Sequence, residues 1–553
     1  MSVEKLIVDH METWTSALQT RSTAGRGSSG KIDLYGIKKL RELILELAVR
    51  GKLVPQDPND EPASDLLKRI AAEKAELVKQ GKIKKQKPLP EISEEEKPFE
   101  LPEGWEWVHL PDIYCSISES SRKIKSSEIL PEGEYPVIEQ SQEFISGYCN
   151  NECLLIKLNN PVIVFGDHTR NIKFIDFDFV VGADGVKILS PILICERFFF
   201  WQLRSFKLDV RGYARHFKVL NSCLFALPPI AEQERIVEKV SSLMSLCDQL
   251  EQQSLTSLDA HQQLVETLLG TLTDSQNTAE LAENWARISE HFDTLFTTEA
   301  SVDALKQTIL QLAVMGKLVP QDPNDEPASE LLKRIAQEKA QLVKEGKIKK
   351  QKPLPPISDE EKPFELPEGW EWCRIGNIVN IKSELVSPKD YLNLYQVAPD
   401  IIEKGTGRVI SKRTVKESGV KGPNSRFYKG QIVYSKIRPS LSKVFLAEYN
   451  GLCSADMYPL DCYINPNYLL KYILSIPFLM QVKKAENRIK MPKLNSDSFY
   501  NIIVAIPPYN EQQAIFDKIN SIEAVCNGLI SYIGIYHKTQ LHLADALTDA
   551  AIN

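Results

Sequence analysis

Four short stretches of this chain place cations beside aromatic rings and amides in a pattern suited to a polyanion. In the first half, Gly166-Asp-His168-Thr-Arg170 follows an apolar run, and Arg211-Gly-Tyr213-Ala-Arg215-His216-Phe-Lys218 comes after it. In the second half, Lys436-Ile-Arg438-Pro-Ser-Leu-Ser-Lys443 follows a similar run, and Arg488-Ile-Lys490-Met-Pro-Lys493 comes later. Lys412, Arg413 and Arg426 add further cations upstream. Arg and Lys pair with guanine O6 and N7, amides pair with adenine, and either cation pairs with phosphate. A solvated surface loop would have the same composition. The recurrence of basic loops at equivalent places in both halves favours DNA contact for the set.

Catalytic signatures are missing. There is no GxxxxGK[ST] phosphate loop and no GxGxxG after a strand. Ile506-Pro-Pro-Tyr509 invites comparison with the Asn/Asp-Pro-Pro-Tyr of adenine methyltransferases, but Ile506 has no polar group to hold a target amine. Its twin, Leu227-Pro-Pro-Ile230, favours a structural stop. The ten Cys are scattered, and Cys149-x-x-x-Cys153 has no partner pair, so free thiols are expected rather than a metal site. No apolar leader opens Met1 to Trp14, and no run approaches the ~18 residues that span a bilayer. The expectation is a cytoplasmic, non-catalytic chain with no cofactor of its own.

The net charge of −7 over 553 residues looks wrong for a DNA binder until it is divided. Residues 373–504 hold 20 Lys/Arg against 10 Asp/Glu, while 108–225 hold 13 against 14. The remainder is strongly acidic. Basic charge gathered in one segment of an acidic chain points to phosphate partners.

The elements that must position these loops are organised by a repeat. Gly51 to Trp107 recurs as Gly316 to Trp372, offset by 265 with no insertion. Six pairs differ: Asp65/Glu330, Ala72/Gln337, Glu76/Gln341, Gln80/Glu345, Glu91/Pro356 and Glu94/Asp359. Upstream, Glu12-x-Trp14 matches Glu283-x-Trp285. Downstream, Ala226-Leu-Pro-Pro-Ile-Ala-Glu-Gln233 matches Ala505-Ile-Pro-Pro-Tyr-Asn-Glu-Gln512 at offset 279. So long a period means tandem domain duplication rather than a solenoid. Each half reads frame, dissimilar insert, frame.

Within the frame, residues 1–19 and Ile37 to Leu47 show helical apolar stripes, and 22–30 reads as a Gly/Ser linker. Ser64 is expected to cap a helix through about Gln80, with Gly81 at its C′ position. In the inserts, β-branched runs at 161–165, 179–181, 186–189, 431–434 and 443–446 alternate with turns, and each insert ends in an apolar helix-like segment. Each therefore reads as a small mixed α/β domain. Long helices are expected from Glu232 and Glu511. Ile236, Val240, Leu243, Leu246, Leu250, Leu264 and Leu268 sit roughly on heptad positions, as a two-helix coiled coil requires. A helix packed on its own domain is the alternative.

This frame (LPEGWEW, then PPxxEQ and a long helix, twice, around dissimilar inserts) resembles the specificity subunit of type I restriction-modification enzymes. GDHTR and GYARHFK look like target-recognition-domain sequences of that family, and the resemblance covers the whole chain. It implies an α+β, pseudo-twofold protein: two mixed α/β target recognition domains joined by long helices in an antiparallel coiled coil. The segments would be an N-terminal helical frame (1–107), domain one (108–230), a central frame (231–372), domain two (373–510) and a C-terminal helix (511–553). It also implies double-stranded DNA, two methyltransferase subunits and two restriction (motor-nuclease) subunits as partners. S-adenosylmethionine, ATP and Mg²⁺ would belong to those subunits. A protein-binding adaptor and a stand-alone DNA-binding regulator remain rival readings. Closing the pseudo-symmetric frame requires residues ~36–100 to dock beside ~511–550.

Overall fold

The computed structural model describes residues 3–21, 31–117, 123–182, 185–208, 215–486 and 492–552. The expected linker at 22–30 and the candidates Arg211, Tyr213, Arg488 and Lys490 lie outside these residues. The chain divides into two compact units, Met1–Ser257 with Tyr536–Asn553 and Leu258–Ile535. Each unit therefore takes one insert, one copy of the repeated block and a part of both long helices.

The frame helices follow their apolar spacing. Tyr35–Val49 buries Ile37, Leu40, Leu43, Ile44 and Leu47, and Glu299–Val314 buries Leu305, Ile309 and Leu312 behind a Thr298 cap. The next helix runs Ala63–Lys79 and starts at Pro62, not Ser64. Proline presets the entry dihedral, and the Ala63 N–H donates to the Gly104 carbonyl at 2.9 Å, so no side-chain cap is needed. Gly81 takes the expected left-handed C′ position at φ 72°. The Trp14/Trp285 match is not a structural one. Trp14 is fully buried, whereas Trp285 is 39% exposed.

Both inserts share one topology despite their dissimilar sequences. In the first, an antiparallel sheet runs Tyr114–Ile117, Val186–Pro191, Val162–Gly166, Ile172–Ile175. In the second, Val379–Ile381, Met457–Cys462, Ile432–Ser435 and Val444–Leu446 repeat that order. A second sheet is built in each around a parallel pair, Tyr135–Ile138 with Phe179–Val181 and Tyr395–Val397 with Gly451–Ser454. Leu155–Ile156 and Asn424–Phe427 flank those pairs antiparallel, and only the fourth strands differ in placement. The apolar helical segments fold as Glu196–Ser205 and as Pro466–Ile473 plus Ile476–Ala485.

Each insert is closed at its base by frame residues. Glu106–His109 pairs with Leu224–Leu227, setting Trp107 opposite Ala226, and Glu371–Arg374 pairs with Ile503–Ile506, setting Trp372 opposite Ala505. The PPxxEQ motif then locks frame to insert. Glu232 accepts from the Trp105 indole N–H at 2.9 Å and from the Gln56 amide at 3.0 Å, and Glu511 accepts from Trp370 at 2.9 Å and Gln321 at 3.1 Å. The following glutamines fix the start of the insert helices: Gln233 accepts from Cys195 N, and Gln512 accepts from Asn465 N. The repeated block also holds the far end of a long helix, where cations suit the exposed carbonyls. Lys52 donates to the Ile552 carbonyl at 2.6 Å, and Lys317 donates to those of Thr273 and Ser275. With Tyr35 donating to Asp545 at 2.7 Å, the N-terminal frame does dock beside the C-terminal helix.

The long helices are Ile230–Asp274 and Tyr509–Ile552. Along the first, Ile236, Val240, Leu243, Cys247, Leu250, Val265, Leu269 and Leu272 are buried. At about 100° per residue they fall within about 100° of arc. That is the stripe of a straight helix, with a period nearer 3.6 than 3.5. Leu264, expected in the seam, falls outside the arc and is 51% exposed. In the second unit Val265, Leu269 and Leu272 share a core with Cys526 and Ile533 of the other long helix and with Leu305, Ile309 and Leu312. In that unit the long helices therefore share one core with the frame helix Glu299–Val314.

Candidate nucleic-acid interface

In the first insert, Gly166 to Arg170 forms the turn of a hairpin between Val162–Gly166 and Ile172–Ile175. The turn needs a left-handed residue, and Arg170 supplies it at φ 63°. Non-glycine residues in this region carry strain, which gathers at functional sites. Asp167, 4% exposed, joins the two basic segments. Its backbone carbonyl accepts from the His216 N–H at 2.8 Å, and its carboxylate accepts from the Phe217 N–H at 2.8 Å. His216 is 1% exposed, with Nδ1 3.1 Å from the same carbonyl. It therefore fastens one loop to the other and has no surface to offer a ligand. Arg215 and Lys218 on either side are exposed. His168 is half-buried, with its N–H on the Gln140 side-chain oxygen.

Beside this turn opens a cleft of about 600 Å³ lined by Gln142, Phe144, Thr169, Arg170, Lys173 and Arg204 among others, with no carboxylate among its described lining residues. Arg170 donates to the Leu208 carbonyl at 2.8 Å. Lys173 is 5% exposed and sits on the carbonyls of Glu139, Glu143 and Phe144, and burial holds its pKa below the usual lysine value. Phe144 is half exposed, and Arg204 lies over the Trp201 ring at 5.6 Å. Sequence reasoning missed Lys173, Arg204 and Phe144. Lys173 lies on a strand and Arg204 on an apolar helix, so neither belongs to a basic cluster in the sequence.

The second insert repeats the arrangement with different residues. Arg438 follows the equivalent strand and is again left-handed, at φ 46°. Its N–H donates to the Pro492 carbonyl at 2.8 Å, and Ile437 bridges to Lys493 as isolated β pairing. The two basic segments thus meet here too. Arg438 is exposed, and among the described residues its guanidinium has no partner. The other cations are more engaged. Lys436 donates to the Ala455 carbonyl at 2.8 Å, Lys493 pairs with Asp456 at 3.2 Å, and Lys443 sits on the Pro399 carbonyl.

Of the three remaining described candidates, Arg426 lies on a strand of the other sheet of that insert, and Lys412 and Arg413 lie in a loop beside it. Arg426 stacks on Tyr428 at 4.9 Å and Tyr391 at 5.2 Å, with Glu384 at 3.7 Å. Exposed Lys412 lies over Tyr449 at 5.5 Å. Arg413 is held by Gln396 and Asp400, both at 3.1 Å, so it buttresses its loop. The arrangement as a whole offers exposed arginines on pinned loops (Arg215, Arg438) and, separately, arginines stacked on aromatic rings (Arg204, Arg426), which suits phosphate and base-edge contact. Among the described residues no group of His, Cys, Asp and Glu could hold a metal, and no helix is long and apolar enough to cross a membrane.

Comparison with known proteins agrees in extent with the duplicated architecture. The model of the type I restriction modification DNA specificity domain matches twice, at residues 102–260 and 367–533, each match taking in one insert and the start of one long helix. The EcoAI type I restriction enzyme specificity subunit of Escherichia coli is 51% identical, and the EcoEI specificity subunit of the same organism 48%, both over the full length of each chain. A solved HsdS subunit from Thermoanaerobacter tengcongensis aligns over 83% of this chain and 98% of its own, at 16% identity and a TM-score of 0.38. With two family domains in one chain and full-length relatives near half identity, the protein belongs to the specificity-subunit family of type I restriction enzymes.

Proposed function

We propose that this chain is the DNA-reading subunit of a type I restriction-modification complex. Each insert is a target recognition domain for one half of a split, asymmetric DNA site. The observation that carries this reading is the pair of inserts: one topology, dissimilar sequences, and in each an arginine forced left-handed on the turn after the equivalent strand. Equal scaffolds with unequal heads suit one kind of partner and two different ligands. His168, Arg170, Arg215 and Lys218 belong to the first reading surface, and Lys412, Arg426, Lys436, Arg438, Lys443 and Lys493 to the second. Arg211, Tyr213, Arg488 and Lys490 are assigned by sequence alone. His216 and Arg413 act by holding these loops in place.

The chain performs no chemistry itself. Adenine-N6 methylation and ATP-dependent cleavage reside in two methyltransferase and two restriction subunits that it gathers on the DNA in the cytoplasm. The long helices act as an antiparallel, pseudo-twofold spacer between the two heads. Salt titration of DNA binding, together with co-purification, tests this reading against its rivals. Phosphate contact gives a steep linear fall of log affinity with log salt, whereas an adaptor that binds protein motifs shows no DNA affinity. A stand-alone regulator binds DNA but does not co-purify with a methyltransferase.

A further inference from the structure

Each copy of the repeated block ends in an open groove beside its insert. In the first, of about 810 Å³, Phe99 and Trp107 stand edge to face at 4.9 Å, with Glu94, Glu100 and Glu106 around them. In the second, of about 850 Å³, Phe364 and Trp372 stand 5.0 Å apart beside Asp359, Glu365 and Glu371. Among the described residues the one lysine lining each groove is already engaged, Lys97 with Glu94 at 2.5 Å and Lys362 with Asp359 at 2.6 Å. Glu100, Glu106, Glu365 and Glu371 are exposed, and among the described residues their carboxylates make no ion pair.

Internal packing accounts for only part of the repetition. Trp105 and Trp370 are buried and bonded to the long-helix glutamates, so the frame requires them. Among the described residues the carboxylates of these four exposed glutamates bond to nothing in the frame, yet they recur in register while the long helices have diverged at most positions. Half-buried rings flanked by unpaired carboxylates form an apolar floor with an anionic rim. A segment that brings an apolar or aromatic anchor between Lys or Arg residues satisfies both.

We propose that each groove takes the same cationic, apolar-anchored segment of a methyltransferase subunit, one copy per groove. This rests on the complex described under Proposed function. The two grooves have matching rings and carboxylates, so they bind two copies of one partner. They flank the insert bases, so a bound subunit lies next to the DNA that the insert reads.

The test uses the full chain co-expressed with its methyltransferase and weighed intact by native mass spectrometry. The wild-type chain is expected to carry two copies. Glu100→Lys with Glu106→Lys leaves one, as does Glu365→Lys with Glu371→Lys, and all four together leave none. A fourfold variant that still carries two copies overturns the groove assignment alone. A wild-type chain that carries none overturns the assignment together with the complex it rests on. Glu→Gln versions at the same positions guard against misfolding. They are expected to keep the wild-type unfolding temperature and to reduce the salt dependence of methyltransferase binding, and an unchanged salt dependence overturns the proposal. A photo-reactive residue at position 100 or 365 is expected to cross-link to the same methyltransferase peptide from either groove. Cross-links to a restriction subunit or to a second copy of this chain assign the grooves to that protein and overturn the proposal.

Discussion

Replacing Glu232 by Gln and by Ala separates what its charge does from what its oxygens do. Glu232 is 1% exposed, and burial raises its pKa despite hydrogen bonds from Gln56 and Trp105. A carboxyl with a raised folded pKa loses folding stability as pH climbs, because the unfolded chain releases its proton first. Its contribution is therefore most favourable below the ordinary glutamate value of about 4.3 and declines as pH rises through the folded value. Glu232→Gln removes that decline and keeps an acceptor for the Trp105 indole. It is expected to match or exceed the wild type at neutral pH and to lose the advantage toward about pH 4.5. Glu232→Ala leaves a buried indole N–H without an acceptor, worth roughly 1–3 kcal/mol. At ~2–4 °C per kcal/mol that lowers the unfolding temperature by about 2–12 °C. The second unit supplies an internal control. Near Glu232, Arg235 favours the ionised form and offsets Asp60, which opposes it, but Ala514 stands at the arginine's place beside Glu511, where Asp325 opposes ionisation with no such offset. The gain from Glu511→Gln is therefore expected to be larger than that from Glu232→Gln. The assay is thermal unfolding across this pH range, with hydrogen exchange at the Trp105 and Trp370 amides assigning each change to its unit. A Gln variant as destabilised as the Ala variant at neutral pH refutes the reasoning, because the charge would then be stabilising.

Four further outcomes are expected. Arg438→Ala and Arg215→Ala each weaken specific DNA binding by roughly 1–3 kcal/mol where they read a base, measured by fluorescence anisotropy, and unchanged binding removes them from the interface. Exchanging 108–225 for another family member's insert changes one half of the methylated site and leaves the other, and a folded, assembled hybrid that still methylates the old site contradicts this. Seven residues added within 251–264 and at the equivalent place in the second long helix lengthen each by about 10 Å. They turn the buried stripe by only about 20° and are expected to widen the preferred spacer by about three base pairs at ~3.4 Å each; a selection that returns the parental spacer rules the helices out as the ruler. The purified chain alone transfers no methyl group from labelled S-adenosylmethionine, and incorporation that survives rigorous purification refutes a purely reading role.

Much of the frame was legible because repetition and periodicity act locally. The stripe Ile37 to Leu47, the helix stop at Gly81 and the five insert strands read from β-branched runs fall where their spacing puts them, while the other insert strands fell outside those runs. What escaped depends on partners far along the chain. The Ala63 helix needs no Ser64 cap because Gly104 supplies the acceptor, and Glu232 and Glu511 are clamps as well as helix openers. A heptad template placed Leu264 in a seam, but over the four heptads from Ile236 the drift between 3.5 and 3.6 carries it out to solvent. In the candidate site, charge and composition picked out loops that the structure brings together in pairs and could not rank the residues within them. His216 and Arg413 turned inward onto local acceptors, and the cleft cations Lys173 and Arg204 came from a strand and an apolar helix.

The most direct test of the central claim is methylome sequencing of cells that carry this chain with its methyltransferase partner, with and without the chain. The account predicts one new methylated motif, split into two unlike halves by an unread spacer, that vanishes when the chain is removed. A continuous or palindromic motif, or a methylation pattern indifferent to the chain, would contradict it.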